Sequence, residues 1–431
     1  MKNLVYCNLI LIFLLQFINQ VFIPIPLFII GILYVFSFFF SNKENILGVY
    51  LYLIMISSGF LLYLTNILFV IFLLWYYRNN IIIGINSLLI LLLTLNESVH
   101  VFINSLMGFQ ESIIKLFGFL VCFIPFMFLK QLRNTVNIKV TFNFLLLGFI
   151  SFSLITIGTY ITSYNVANFF NEIRRFGYLP KSKDESDLLM NPNTIGKNSA
   201  FIVGTYLVLI NLGYLKYTIK NIILISYVIF IGSLTLSRSF FLLMITALVL
   251  IAIYQMIKKK VLKITMLFLF LISSVLLMLR YATNFTKAMS KRILETDDIS
   301  GGRLDIYSQY INIITTDYKV LLFGTGMQDY LLKVQNYNSF INQSSHNIVL
   351  EILTIWGIVG LIIVIMFMFN YIFECKNLLT STIGTKILLL IPIIIIILSA
   401  MFGQFFISYY HTFALTFFAL ILLDIKGVYK C

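Results

Sequence analysis

The chain reads as an all-α integral membrane protein that crosses the bilayer about 12–14 times. Three observations predict this. Of 431 residues, 60% are hydrophobic and only 11% are charged, far less charge than a soluble domain carries. Apolar runs recur at about 17–25 residues, the length that spans roughly 30 Å of hydrocarbon as helix. The short alternating apolar–polar segments of a membrane β-barrel are absent.

The first run follows Met1-Lys2-Asn3 and continues apolar through Phe40. It begins like a signal peptide, but no small-residue cleavage site closes it, which predicts a retained first helix over 4–20. Further spans are expected at 22–41, 46–63, 65–77, 81–95, 112–129 and 139–163, the fourth of the series being short for a full crossing. After a polar segment at 164–196 come 197–215, 220–236, 239–257 and 263–279. A second polar segment, 280–345, precedes 346–371, 386–405 and 406–423. These breaks divide the chain into an N-terminal membrane part (1–163), a central part with its own loop (164–279), a long loop (280–345) and a C-terminal membrane part (346–431). Cys7, Cys122, Cys375 and Cys431 are scattered without metal-ligand spacing and read as inert thiols, and Cys431 is not placed for prenylation.

Short-loop basic residues set the expected orientation. Lys43, Arg78, Lys130, Arg133, Lys139, Lys216, Lys220, Lys258, Lys259, Lys260, Lys263, Lys376, Lys386, Lys426 and Lys430 fall on one side, which predicts cytoplasmic termini and two outer segments, 164–196 and 280–345. The net charge of +14 therefore has two components. The lysines follow the positive-inside rule. Six of the eight arginines (Arg174, Arg175, Arg238, Arg280, Arg292 and Arg303) fall on the other side and need a separate reason. Guanidinium is a planar five-donor fork suited to phosphate or carboxylate oxygens. Two readings are open: a shared anionic ligand, or pairing with acids such as Asp297, Asp298 and Asp305.

Several stretches carry candidate chemistry. In "LTLSRSFFLL", Arg238 stands between two apolar runs, either as a snorkelling residue at a turn or as a group facing a polar interior. In "DDISGGRLDIYSQYINIITTDYKVLLFGTG", Leu304, Tyr307, Ile311 and Ile314 recur at helical spacing, predicting a short amphipathic helix on the outer mouth with Arg303 in its first turn. Gly324-Thr325-Gly326 predicts a tight turn, without the context of a dinucleotide fingerprint. "MNPNTIGKNSAF" predicts another helix entry, with Pro192 breaking the chain and Asn193 as the N-cap of the span that follows. In "SSHNIVLEILTIWGIVG", His346 and Gly357 are 11 apart and are expected to share one helical face about three turns from each other. Gly357 and Gly360 would admit a close neighbour, and Asn347 and Glu351 would form a polar pair below the histidine. His346 is then either an interface residue or a base that accepts a proton near pH 7.

In this order, "NPN" before a span, "LSRS" at a hairpin, "GGRLDIY" with "LLFGTG" in a long loop, and "SHNIVLEILTIWGIVG" at re-entry resemble the O-antigen polymerase and ligase superfamily over roughly 190–365. The resemblance implies a GT-C-like membrane fold and transfer from an undecaprenyl-pyrophosphate-linked glycan, with no metal, nucleotide or other cofactor at the transfer step. It implies that Arg238 and Arg303 hold the pyrophosphate and His346 serves the acceptor hydroxyl. Arg174, Arg175 and Arg280 are further candidates for the anion, and Gly357, Asn347 and Glu351 for support. Expected partners are the lipid-linked glycan, membrane lipid, a chain-length regulator and a flippase, and not nucleic acid. Polymerase is the preferred reading, since no extra acceptor-binding domain is visible in the sequence. Ligase is the near alternative, and a lipid-linked oligosaccharide flippase the alternative of another class.

Overall fold

The computed structural model describes residues 2–79, 84–103, 109–163, 175–177, 188, 190–259, 303–327, 330–337, 344–403, 405 and 409–425. The expected span 263–279, and with it Arg174, Arg280 and Arg292, lies outside the described residues. Every regular element among them is helical.

The N-terminal part comprises α1 (Lys2–Val21), α2 (Leu27–Phe39), α3 (Ile46–Met55), α4 (Gly59–Tyr77), α5 (Ile85–Ile103) and α6 (Phe109–Phe123). A 3-10 turn at Ile124–Phe128, with Pro125 near its start, leads into α7 (Leu129–Thr135) and then α8 (Ile138–Ser163). The central part holds α9 (Pro192–Asn211), α10 (Ile219–Leu234) and α11 (Arg238–Ile257). Three short helices follow, α12 (Arg303–Thr316), α13 (Tyr318–Phe323) and α14 (Tyr330–Tyr337). The C-terminal part is α15 (Ile348–Glu374), α16 (Lys376–Thr380), α17 (Ile383–Met401) and α18 (Tyr409–Leu422).

Eight helices among the described residues are long and apolar enough to cross a membrane, and four shorter apolar ones accompany them. Outward apolar side chains such as Ile219, Ile245, Phe369 and Phe373 are exposed, as a surface covered by hydrocarbon requires. The protein is a polytopic helical membrane protein. One expected boundary moves. The short helix is the third, α3, at 10 residues, whereas α4 has 19. The apolar run hides the break: Ser57 donates its hydroxyl to the Leu53 carbonyl, and Gly59 turns the chain at φ +50°. All of α3 is buried, packed on α8.

Hydrogen bonds and an ion pair between distant segments mark the two ends of the bundle. At one end the Asn137 amide donates to the Glu44 carbonyl (2.9 Å), Arg133 pairs with Asp424 (3.0 Å), and the Asn377 amide donates to Asp424 (2.7 Å). These ties gather loop segments that carry the lysine-rich set. At the other end the Leu188 amide donates to Gln20 (3.1 Å), the Gly177 amide to the Tyr160 hydroxyl (2.6 Å), and the Phe176 amide to the Leu234 carbonyl (3.0 Å). The starts of α9, α11 and α15 lie at this second end. Between them α9 is buried along most of its length, against α10, α11 and α17.

Candidate active site at one end of the bundle

The Asn191-Pro192-Asn193 stretch caps α9 two residues earlier than expected. Asn191, not Asn193, is the cap: its side chain accepts the Asn193 amide at 2.9 Å, and Pro192 takes the first helical position, where a missing N–H costs nothing. Asn193 is thereby released for another task. Its Oδ1 accepts from Arg175 Nη2 (2.9 Å) and from Ser237 Oγ (3.0 Å), and Ser237 shares a 2.7 Å hydrogen bond with Ser239. Arg175 Nε also donates to the Thr235 carbonyl at 3.0 Å. The "NPN" and "LSRS" stretches thus form one hydrogen-bonded wall. Arg238 is the first residue of α11, half-buried between the two serines of that wall in sequence.

His346 stands across this wall. The two are joined in a small polar cavity of about 60 Å³, lined by Asn191, Asn193, Thr194, Lys197, Ser239, His346, Ser399 and Gly403. His346 precedes α15 and adopts a left-handed backbone, φ +52°. Asn347 caps α15, accepting the Val349 and Leu350 amides at 2.9 and 3.3 Å. Burial pushes the His346 imidazole below the usual histidine range, and the Arg303 charge pushes it further the same way. Arg303, the first residue of α12, is therefore within electrostatic reach of the histidine.

Three expectations are corrected here. His346 and Gly357 do not share a helical face, because neither is helical: Gly357 has φ +67° and ψ −166°, which breaks α15 into two pieces. Asn347 and Glu351 do not form a side-chain pair below the histidine, since capping occupies Asn347 and Glu351 Oε2 accepts the Phe405 amide at 3.2 Å. The buried face of α12 is Ile306, Tyr310, Ile313 and Ile314; of the expected stripe Ile314 is buried, whereas Leu304 and Ile311 point outward. Both stripes have helical spacing, and only packing selects between them.

The break at Gly357 has a defined partner. It frees the Thr354 and Ile355 carbonyls, which accept the Thr325 and Gly326 amides of the "GTG" turn, each at 2.8 Å. Lys333 Nζ donates to the Thr325 carbonyl at 2.7 Å. Helix α5 clamps the junction from the other side. The Glu97 carboxylate accepts the Met327 amide (2.9 and 3.0 Å) and Trp356 Nε1 (2.9 Å), and His100 Nε2 donates to the Phe323 carbonyl at 2.8 Å. A broken helix inside a membrane is tolerated only when neighbours satisfy its backbone in this way. The loop helices, the re-entering helix and α5 are therefore one unit.

Two glycines make the contact possible. Gly324 (φ +79°, ψ −166°) and Gly357 lie in a backbone region that is essentially glycine-only, and a Cβ at either would run into backbone, that of Ile355 and of Leu322 respectively. Gly357→Ala is expected to cost about 1–3 kcal/mol from backbone strain alone, with the collision added. The measurement is the midpoint of thermal unfolding in detergent, expected to fall for Gly357→Ala and Gly324→Ala and to stay within error for Leu304→Ala on the exposed face. An unchanged midpoint for both glycine variants would refute the docked geometry.

A second cavity, about 270 Å³ and wholly apolar, lies deeper, between α5, α15, α17 and α18. Its wall includes Leu93, Ile348, Ile352, Trp356 and Phe413, and it shares Phe405 with the Glu351 contact.

Sequence reading missed Lys197, Glu97 and His100. Lys197 is buried in α9 and lines the polar cavity, its Nζ donating to Thr412 Oγ1 at 2.8 Å. A lone lysine inside an apolar span, one turn past "NPN", was the signal available. Glu97 and His100 fall in the first 160 residues, where only hydropathy was informative.

Fold and site together define a polytopic membrane protein in which Asn191, Asn193, Ser239 and His346 line one polar cavity at one end of the helix bundle, while Arg238 and Arg303 are not among its lining residues. Residues 222–365, about a third of the chain, match a family model described as O-antigen ligase. The match indicates an enzyme of the glycosyl-transfer type in general. It runs from α10 into α15 and so contains Arg238, Arg303, the "GTG" turn, His346 and Gly357. It leaves out Asn193, Lys197, Glu97 and His100, which pack against it. No curated protein matches the chain.

Proposed function

We propose that the chain polymerises undecaprenyl-pyrophosphate-linked oligosaccharide repeat units into a surface polysaccharide, O-antigen or capsule, at the outer face of the cytoplasmic membrane. The observation that carries this reading is the cavity that joins His346 to the Asn193–Ser237–Ser239 wall, with Arg175, Arg238 and Arg303 at the same end of the bundle. Departure of a lipid pyrophosphate develops negative charge, which fixed guanidinium donors stabilise. Attack by a sugar hydroxyl needs a base within reach, and a histidine kept neutral by burial suits that task. Burial and the Glu351 charge keep the Tyr310 and Tyr330 hydroxyls protonated, so neither competes for the role. Attack opposite the leaving group inverts the anomeric centre. The apolar cavity beside the site suits a stretch of isoprenoid chain, which supports a lipid-linked donor.

The family's description favours a second reading, a ligase that delivers the glycan to a lipid acceptor. Incubating the purified protein with a defined lipid-pyrophosphate repeat unit separates the two. A ladder of products supports the polymerase, transfer only onto an added lipid acceptor supports the ligase, and no transfer in either case removes both. The lysine distribution supports an outward-facing cavity. Leu304→Cys, on the exposed face of α12, is expected to react with an impermeant thiol reagent on intact cells stripped of outer barriers. Reaction only after lysis would reverse that orientation.

A further inference from the structure

The polar cavity has a charged wall that none of the expected site residues supplies. Asn193, Thr194 and Lys197 stand at helical spacing on one face of α9, and all three line the cavity with His346. The Lys197 ammonium is almost fully buried. It has three donors, and Thr412 takes one of them at 2.8 Å. A buried ammonium is costly unless a charge compensates it. Glu351 supplies that charge, since its carboxylate acts electrostatically on Lys197. Glu351 is itself fully buried and turned to the Phe405 amide, and it does not line the cavity. The eight lining residues include no carboxylate. Lys197 thus lines the cavity while the carboxylate that compensates it does not, an arrangement that leaves the cavity attractive to an anionic ligand.

We propose that Lys197 is a binding residue of this site: it holds a phosphate oxygen of the pyrophosphate-linked donor from inside the bundle, opposite the arginines of the loops. The inference rests on the lipid-pyrophosphate reading above. An ammonium acts as a point charge with rotatable donors, whereas the loop arginines act as planar forks. The two kinds of cation would grip different oxygens of one diphosphate.

The competing explanation is a purely structural Lys197–Glu351 pair, and the two separate experimentally. Removing one partner of a buried ion pair leaves an uncompensated charge, so both charges are removed together. The full-length protein in nanodiscs is titrated with glycan-free undecaprenyl pyrophosphate, with undecaprenol as the uncharged control. Lys197→Met combined with Glu351→Gln, whose side-chain oxygen still accepts the Phe405 amide, is expected to keep the unfolding midpoint and lose at least about tenfold in affinity for the pyrophosphate lipid, the scale of one charged hydrogen bond. Binding within twofold of wild type would overturn the proposal. If that double variant does not fold, Lys197→Gln provides the second measurement. It keeps a donor without the charge, so its affinity should fall and depend less steeply on salt, and an unchanged affinity and salt slope would equally overturn the proposal. If wild type binds undecaprenyl pyrophosphate no better than undecaprenol, the donor reading itself fails. If wild type binds and Arg303→Ala weakens binding while the Lys197 variants do not, only the role of Lys197 fails.

Discussion

His346→Ala is expected to lose about 10²–10⁴ in turnover while still binding the lipid-pyrophosphate donor, the usual cost of removing a general base. The prediction carries a pH signature. Burial and the Arg303 charge both lower the imidazole pKa, so the neutral, proton-accepting form predominates at pH 7. Wild-type activity should therefore hold through neutral pH and fall only as pH drops through a value below 6.5, the ordinary histidine value. Single-turnover rate and donor affinity for His346→Ala, measured together, decide the role. If affinity collapses while the rate at saturation survives, His346 is a binding residue and the acceptor proton goes elsewhere.

Arg303→Ala is expected to cost about 10²–10³ in rate, the scale of losing one preorganised donor to a developing oxyanion. Arg303→Lys should remain impaired, because a point charge does not reproduce a bidentate fork. The two variants differ in a second way. Removing the charge relieves one of the two causes that lower the His346 pKa, so the acidic limb of residual Arg303→Ala activity should move up in pH. In Arg303→Lys, which keeps the charge, it should stay near its wild-type position. Normal glycan from the Arg303→Ala protein would remove Arg303 from the site, and an unmoved acidic limb would uncouple it from His346.

The membrane class and most of the spans were legible from the sequence because they rest on local quantities. A run of about 20 apolar residues must be helical in hydrocarbon, where every backbone group needs an internal partner. The motif stretches were legible for a related reason. Polar residues set between apolar runs, as in "NPN" and "LSRS", are costly unless they do something specific. Sequence placed Arg303 at a helix start and a turn at Gly324-Thr325-Gly326, and the backbone has both.

Tertiary structure alone decided how these pieces meet. Gly357 reads as a small residue admitting a neighbour along a continuous helix, yet it breaks that helix, and the amides that satisfy the break come from a turn some 30 residues earlier. The clamp on Trp356 is a glutamate 259 positions away, and the partner of Lys197 is a threonine 215 positions away. Both stripes of α12 repeat at helical spacing, and the packing of the loop helices chose Ile306 and Tyr310 over Leu304 and Ile311. Periodicity reports which faces a segment has. Which face is covered, and where a buried charge finds its counterpart, depends on segments far apart in the chain, because desolvating a polar group is tolerated only where packing brings it a partner.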